Sequence, residues 1–550
     1  MLRHSERTEE MTEAARETSA GGTGDGIRCR KGYRRNGILL WGMVILFTLL
    51  YLSLIFNDNV WTDEIFSMNL FADSFAQIIV DTAEDVHPPL YYFLGRIMRL
   101  LFGESLQVQK ILTVIPMSLT LALGAGKIRR NFGDRAAFLF ILFLGCLPCS
   151  MTYAVQVRMY SWALLCVTAC GLAAWEILKK NRIFDWVWLA ISAVAAAYLH
   201  YFAFVSVIVI NGLLLLWLLF SKEERKKLVR WLIFSVLMVL AYLPWLPYML
   251  EQVTRVEGGY WIAPITAETV WSYFTWAFGL NPLPQTTYGY LLISIAAGIG
   301  CLTGCLRRNR QPGAAEQNHS SVFLYGLFAM TVPSLTAAGG TILSLIGQPI
   351  YRDQYVFPAM GLFCLFLAIG MNRVLGDGMA WLLPEAAPDA EAEHGGKDGE
   401  VYGGKEKSAA SEKGSAVRTA GMAVLLLFVL FTGAISYRDA FRDEYLATLT
   451  RQTEEFFEEN FGENDLVVYN YQAYYFNYKY YFPEEKLAYV RDVDLSQDFD
   501  RIWFLDTEME WDFVPDQIIP YNLQIEYVGH FGIEDNEFDL YMVTKGVPAE

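Results

Sequence analysis

Two neighbouring carboxylates, Asp63 and Glu64, follow Trp61 in the run WTDEIFS (61–67), and an acid–histidine pair, Asp85 and His87, precedes Pro88-Pro89. Further along stand Arg158, His200 and the adjacent Arg352 and Asp353, each at the edge of a long apolar run. A carboxylate can take the proton of an attacking hydroxyl, and a guanidinium binds phosphate through paired hydrogen bonds. These residue types therefore suit transfer of a group from a phosphate to a hydroxyl. One base suffices, because phosphate already leaves readily, and cations hold it as it leaves.

Asp63 is the first choice for the base, with Glu64 positioning the acceptor or substituting for it. Adjacent residues on a helix point about 100° apart and on a strand to opposite faces, so both do not do the same job. The competing reading of the pair is a solvated acidic loop or a helix N-cap. Asp85 and His87 flank a helix start whose entry angle the two prolines fix. They bind the acceptor, hold a divalent cation together with Asp63, or only cap the helix. No H-x-x-x-H or clustered ligand spacing accompanies them, so no metal or other cofactor is assigned. Arg158, Arg352 and His200 are candidates for holding the donor phosphate. Snorkelling to the headgroups competes for the arginines, and a satisfied turn histidine for His200.

The elements that must position these groups are membrane helices. The 550 residues are 54% apolar and only 19% charged, against roughly a quarter charged in soluble domains, which excludes an ordinary soluble enzyme. Apolar runs fall near 37–56, 107–125, 133–149, 158–177, 185–200, 202–220, 230–249, 287–305, 322–345, 354–371 and 420–436, each close to the ~20 residues a helix needs to cross a bilayer. The stretch 186–220 is too long for one crossing, so a tight outer turn is expected at Tyr198-Leu199-His200-Tyr201. About eleven spans result. Residues 1–36 then read as a disordered cytoplasmic tail, and the clusters KIRR (127–130), KKNR (179–182), KEERKK (222–227) and RRNR (307–310) all fall inside, as the positive-inside rule requires. The loop from Asn57 to Asp85, with seven acidic residues and no basic one, falls outside.

Three further segments complete the layout. Residues 90–102 are too short to span and fit a helix lying in the outer interface. Residues 373–419 are low in complexity and read as a disordered cytoplasmic linker. From Tyr437 to Glu550 the chain carries 26 acidic against 8 basic residues, which makes this a separate acidic external unit and argues against a nucleic-acid partner. An amphipathic helix near 440–460 and strands at 466–470, 486–490, 501–505 and 539–543 suggest a small α/β domain. Within it, seven tyrosines lie between Tyr469 and Tyr481, for which packing against the membrane body is preferred over sugar stacking. The eight cysteines avoid both the acidic tail and the outer loop 57–86, which excludes a disulfide-stapled exterior.

All the candidate residues gather at the outer face, while the span interiors are nearly without charge. A transporter would place ionisable groups near the midplane and carry an internal repeat, and neither is seen. On WTDEIFS (61–67), DVHPPLYYFLGRIMRLLFG (85–103) and YAVQVRMYSW (153–162), supported by HYFAF (200–204), YLPWLPYML (242–250) and YRDQYVFPA (351–359), the chain resembles the C-type glycosyltransferases. These multi-spanning enzymes use polyprenyl-phosphate sugars and include protein O-mannosyltransferases and bacterial lipid A aminoarabinose transferases. The resemblance covers most of 37–372. One departure is Gln156, where family members often carry Glu.

The resemblance implies a polytopic α-helical membrane glycosyltransferase domain over 37–372 with its first outer loop at 57–106, a last span at 420–436, and an external α/β domain at 437–550. It implies a multi-pass protein of the cell membrane with its N-terminus inside. The donor would be a hexose- or mannose-like sugar on polyprenyl phosphate, drawn from the lipid bilayer. The acceptor would be a protein, a lipid-linked glycan or a wall polymer, with inversion at the sugar. The alternative is a non-catalytic polyprenyl-lipid or glycan translocator, or an envelope-assembly scaffold.

Overall fold

The computed structural model describes residues 32–57, 60–222, 224–257, 264–279, 285–306, 314–383, 409–442, 445–495, 498–507, 523–534 and 536–545, with Ile262 and Leu283. The expected tail up to residue 31, the basic run 307–310 and the linker core 384–408 lie outside the described residues.

The apolar runs fold as helices because a backbone in hydrocarbon must satisfy its own hydrogen bonds. Among the described residues, eight helices are long and apolar enough to cross a membrane, and two bent pairs raise the count to ten. The eight are Gly32–Leu54, Leu106–Phe132, Tyr160–Lys179, Tyr201–Phe220, Thr286–Leu306, Ser321–Ile346, Asp353–Met379 and Gly414–Phe441. The remaining expected span, Ile183–Leu199, is an apolar helix of 17 residues. It is separated from Tyr201–Phe220 by a break at His200, whose φ of −161° and ψ of 136° are extended. Pro148 opens a new helix after Cys146 with a bend of 68°. Two helices outrun the expected ends: the first starts at Gly32, and the last runs over Ala409–Arg442.

Residues 354–371 of the segment Asp353–Met379 are all buried, which places this helix inside the bundle. Small residues bring its neighbour close: a Cβ on Gly300 would stand 2.3 Å from the Gly370 carbonyl oxygen, the close backbone approach typical of membrane helix pairs.

Three short outer helices follow the first span, α2 (Thr62–Ala72), α3 (Phe75–Glu84) and α4 (Leu90–Phe102), with α1 denoting Gly32–Leu54. Ser74 caps α3 by accepting from the Gln77 N–H at 3.2 Å. α4 ends at Gly103, whose φ of +93° suits a residue without a Cβ. Its outward residues Leu100, Leu101 and Phe102 are exposed, as an interfacial helix requires. Gly95 lets α4 sit directly on Phe71 of α2.

The C-terminal unit is one five-stranded sheet, β1 (Leu466–Tyr469), β2 (Leu487–Tyr489), β3 (Ile502–Asp506), β4 (Leu523–Ile533) and β5 (Asn536–Lys545), in the order β2-β1-β3-β5-β4. β1 is parallel to β2 and β3, and β5 is antiparallel to β3 and β4. The sequence reading missed β4. Its outer residues Gln524 to Tyr527 are exposed, and a register shift between Tyr527 and Gly529 breaks its alternation. The tyrosine-rich run becomes a strand end, a turn and the helix Tyr475–Tyr481, with Tyr469 and Tyr478 inside the domain core.

Candidate active site

α2 begins with Asp63 and Glu64 in its first turn, where carboxylates favour the helix dipole. The two side chains part as adjacent helical residues must. Glu64 is 5% exposed, and both its oxygens are occupied. Oε2 accepts from the Trp61 N–H at 3.0 Å, closing the cap of α2, and Oε1 accepts from the Val157 N–H at 2.5 Å. Burial pushes its carboxyl above the ordinary glutamate range, against the nearby Lys110, these two N–H groups and Arg158. Glu64 thus ties α2 to the Gln156–Met159 connection and does not face an acceptor. The Asp63 side chain, 41% exposed, is the open carboxylate of the pair.

Arg158 lies behind Asp63 and is 2% exposed. Its Nη1 donates to the Asp63 carbonyl at 2.9 Å and to Ser67 Oγ at 3.1 Å. Its Nη2 stands 3.4 Å from Asp63 Oδ2 and 3.3 Å from His87 Nε2. The residue expected to hold the donor phosphate is thus buried and bonded to the turn that carries Asp63.

His87 completes a chain of contacts. Its Nδ1 is 2.7 Å from Asp85 Oδ2. A guanidinium only donates, so Nε2 accepts from Arg158, and the ring proton sits on Nδ1 facing Asp85. Burial alone would raise Asp85, but His87 as neighbour and hydrogen-bond partner outweighs it and holds the carboxyl below its ordinary value. Both ring nitrogens of His87 are engaged in this arrangement. Among the described residues no three His, Cys, Asp or Glu side chains are grouped to hold a metal ion.

His200, 3% exposed, caps the helix Tyr201–Phe220 by accepting from the Phe202 N–H at 3.1 Å. Burial, then His87 and Arg158, hold it well below the usual histidine range. Its ring lies 6.1 Å from that of His87. Together they form the inner wall of a cavity of about 480 Å³, walled farther out by Phe204, Val205, Ile208, Leu343 and Ile346. Ile208, Leu343 and Ile346 are exposed on the lipid-facing surface, so the cavity opens sideways. Arg352, partly exposed, neighbours Tyr160 as Arg158 does, and stands at the N-terminus of the segment that carries the cavity residue Tyr355.

Sequence reasoning missed three contributors. Ser67 and the Val157 N–H have no chemical signature of their own. Lys110, 2% exposed, donates to the Asn57 carbonyl and faces Glu64; a lone lysine at a span end reads as a snorkelling residue. The packing preferred for the tyrosine-rich run is found: the helix Tyr475–Tyr481 of the C-terminal unit lies on α2, with the Phe476 and Phe66 rings edge to face at 5.4 Å.

A family model described as dolichyl-phosphate-mannose-protein mannosyltransferase matches residues 86–248. No curated protein sequence matches the chain. The crystal structure of ArnT from Cupriavidus metallidurans in the apo state superposes with a TM-score of 0.51 at 13% identity, over 91% of this chain and 98% of that one. The same protein bound to undecaprenyl phosphate gives 0.49 at 13% identity, over 91% of this chain and 98% of that one. The arabinofuranosyltransferase AftD from Mycobacteria gives 0.46 at 11% identity, over 92% of this chain and 40% of that one.

Proposed function

We propose that the chain is a C-type membrane glycosyltransferase, a multi-pass enzyme that draws a sugar from a lipid phosphate, and that it moves one hexose, mannose-like, from polyprenyl phosphate to a hydroxyl of a cell-envelope acceptor. The reaction takes place on the external face, with the N-terminus inside and the C-terminal domain outside. Asp63 removes the acceptor proton, and the acceptor oxygen attacks the anomeric carbon. The bond from that carbon to the phosphate oxygen breaks, the electron pair leaves with polyprenyl phosphate, and the configuration inverts. Arg158 and, through it, His87 and Asp85 set the direction of the Asp63 carboxylate. Arg352 remains the candidate cation for the departing phosphate. Glu64 holds the start of α2 in place.

One observation carries this reading. The open carboxylate of Asp63 ends a chain of polar contacts that runs through Arg158 to His87 and Asp85, and His87, with His200, lines an apolar cavity beside it. That is where the prenyl chain of the donor would lie, with its phosphate toward the histidines. The acceptor, whether protein, lipid-linked glycan or wall polymer, would come from the aqueous side. Mass spectrometry of envelope fractions with and without the protein tests the reading. An acceptor that loses one hexose when the protein is removed supports it. Movement of intact lipid-linked sugar with no new glycosidic bond would establish a translocator instead.

A further inference from the structure

The acidic external domain reaches the active-site helix through one buried side chain. Asn477, on the helix Tyr475–Tyr481, is completely buried, and its Nδ2 donates to Thr62 Oγ1 at 3.0 Å. Thr62 is the first residue of α2 and immediately precedes Asp63. Other bonds on this turn come from the membrane body, among them Arg158 on the Asp63 carbonyl, and Trp61 and Val157 on Glu64. A second contact between the same two helices, Asn69 Nδ2 to the Phe476 carbonyl at 3.0 Å, is exposed and lies near the far end of α2.

The amide of Asn477 is poorly explained by stability. Its Oδ1 is buried and meets no hydrogen-bond partner among the described residues. Leaving a buried acceptor unpaired costs free energy, so a small apolar residue here would fold at least as well. What the amide contributes is a directional bond to the residue next to the catalytic carboxylate.

We infer that Asn477 is a positioning residue: the external domain helps to build the active site by fixing, through Thr62, the turn that presents Asp63. This deepens the proposed function and rests on Asp63 acting as base. It assigns the C-terminal domain a part in turnover rather than a role as a passive appendage.

The test uses the full-length protein in membranes or detergent, measuring sugar transfer and thermal unfolding together. Asn477→Ala should lower kcat roughly tenfold, as a small displacement of a base does, with the donor KM within about twofold and an unfolding temperature no lower than wild type. Asn477→Asp keeps a partner for the Thr62 hydroxyl and places a negative charge beside Asp63. It should recover most of kcat at high pH and move the acid limb of the pH–rate profile upward, by about 1 to 1.5 pH units for a separation of roughly 8–12 Å at an effective dielectric near 20. Asn69→Ala, which breaks only the distant contact, should keep wild-type kcat. The inference is overturned if Asn477→Ala retains wild-type kcat, if its loss of activity follows a loss of folded protein, or if Asn69→Ala is equally impaired. An active Asp63→Asn enzyme would remove the underlying reading, whereas an inactive one beside an unimpaired Asn477→Ala would remove this inference alone.

Discussion

Nη2 of Arg158 lies 3.3 Å from Nε2 of His87, joining two motifs 71 residues apart into one line from Asp85 to Asp63. The guanidinium can only donate, so this contact fixes the tautomer of His87 and makes Asp85 the acceptor that holds it. The Asp85–His87 pair, read from sequence as an acceptor site, a cation site with Asp63 or a helix cap, also contacts Arg158 and so bears on its orientation.

Asp85→Asn tests that line. The amide has one acceptor oxygen and can turn its NH₂ toward Nδ1, which reverses the proton on His87 and sets an N–H against Arg158. Turnover should fall by up to about 100-fold, the scale of a misplaced catalytic group, with the donor KM nearly unchanged. Steady-state kinetics in detergent checks it. A variant with wild-type kcat would show that the tautomer is irrelevant.

The pair Asp63 and Glu64 should separate in stability. Glu64→Ala leaves the Trp61 and Val157 N–H groups without their acceptor. At about 1–3 kcal/mol for a buried unsatisfied group, the folded protein should lose several degrees of thermal stability, visible by unfolding in detergent. Asp63→Asn, at a partly exposed side chain, should unfold within a degree or so of wild type.

Cavity occupancy should appear in donor affinity. Val205→Trp fills part of the apolar wall and displaces about two methylenes of bound chain. At ~0.8 kcal/mol per methylene the KM for a long-chain donor should rise roughly tenfold, with kcat within about twofold. A donor with a short prenyl chain should respond less. Equal responses would place the lipid elsewhere.

His530 offers a pH test in the external domain. Its ring lies 3.0 Å from both Asp539 and Glu537, and these partners raise it above the ordinary histidine value. A raised value means the folded state holds the proton more tightly. The stabilisation is therefore full below the unfolded value of about 6.5 and is lost as pH rises through the folded one. The ring is exposed, so the effect is small and salt-sensitive. His530→Asn should be less stable than wild type near pH 5.5 and equal to it well above the folded value, by thermal unfolding in low salt. Equal stability at both pH values would contradict it.

Much of the architecture was legible because hydrocarbon length is a hard constraint. A 35-residue apolar stretch cannot cross once, and the break falls at His200 as the sequence required. Asp63 and Glu64 were legible as a carboxylate pair whose side chains must part, but the anchoring of Glu64 was not. It depends on the backbone of Val157, 93 residues beyond Glu64, and no side-chain pattern reports a backbone N–H. The placement of Arg158 was not legible for the same reason: an arginine at a span end looks the same in sequence whether it faces headgroups or lies 2% exposed behind a carboxylate. β4 escaped because an exposed edge with a bulge loses the alternation that marks a strand.

Sugar transfer by membranes carrying full-length Asp63→Asn is the most direct measurement. The variant should insert, unfold at the wild-type temperature and bind the donor lipid, while transfer falls by about 10³-fold or more, as expected when a general base acts together with the groups that orient it. Transfer at the wild-type rate in that variant would contradict the assignment of Asp63 as the base.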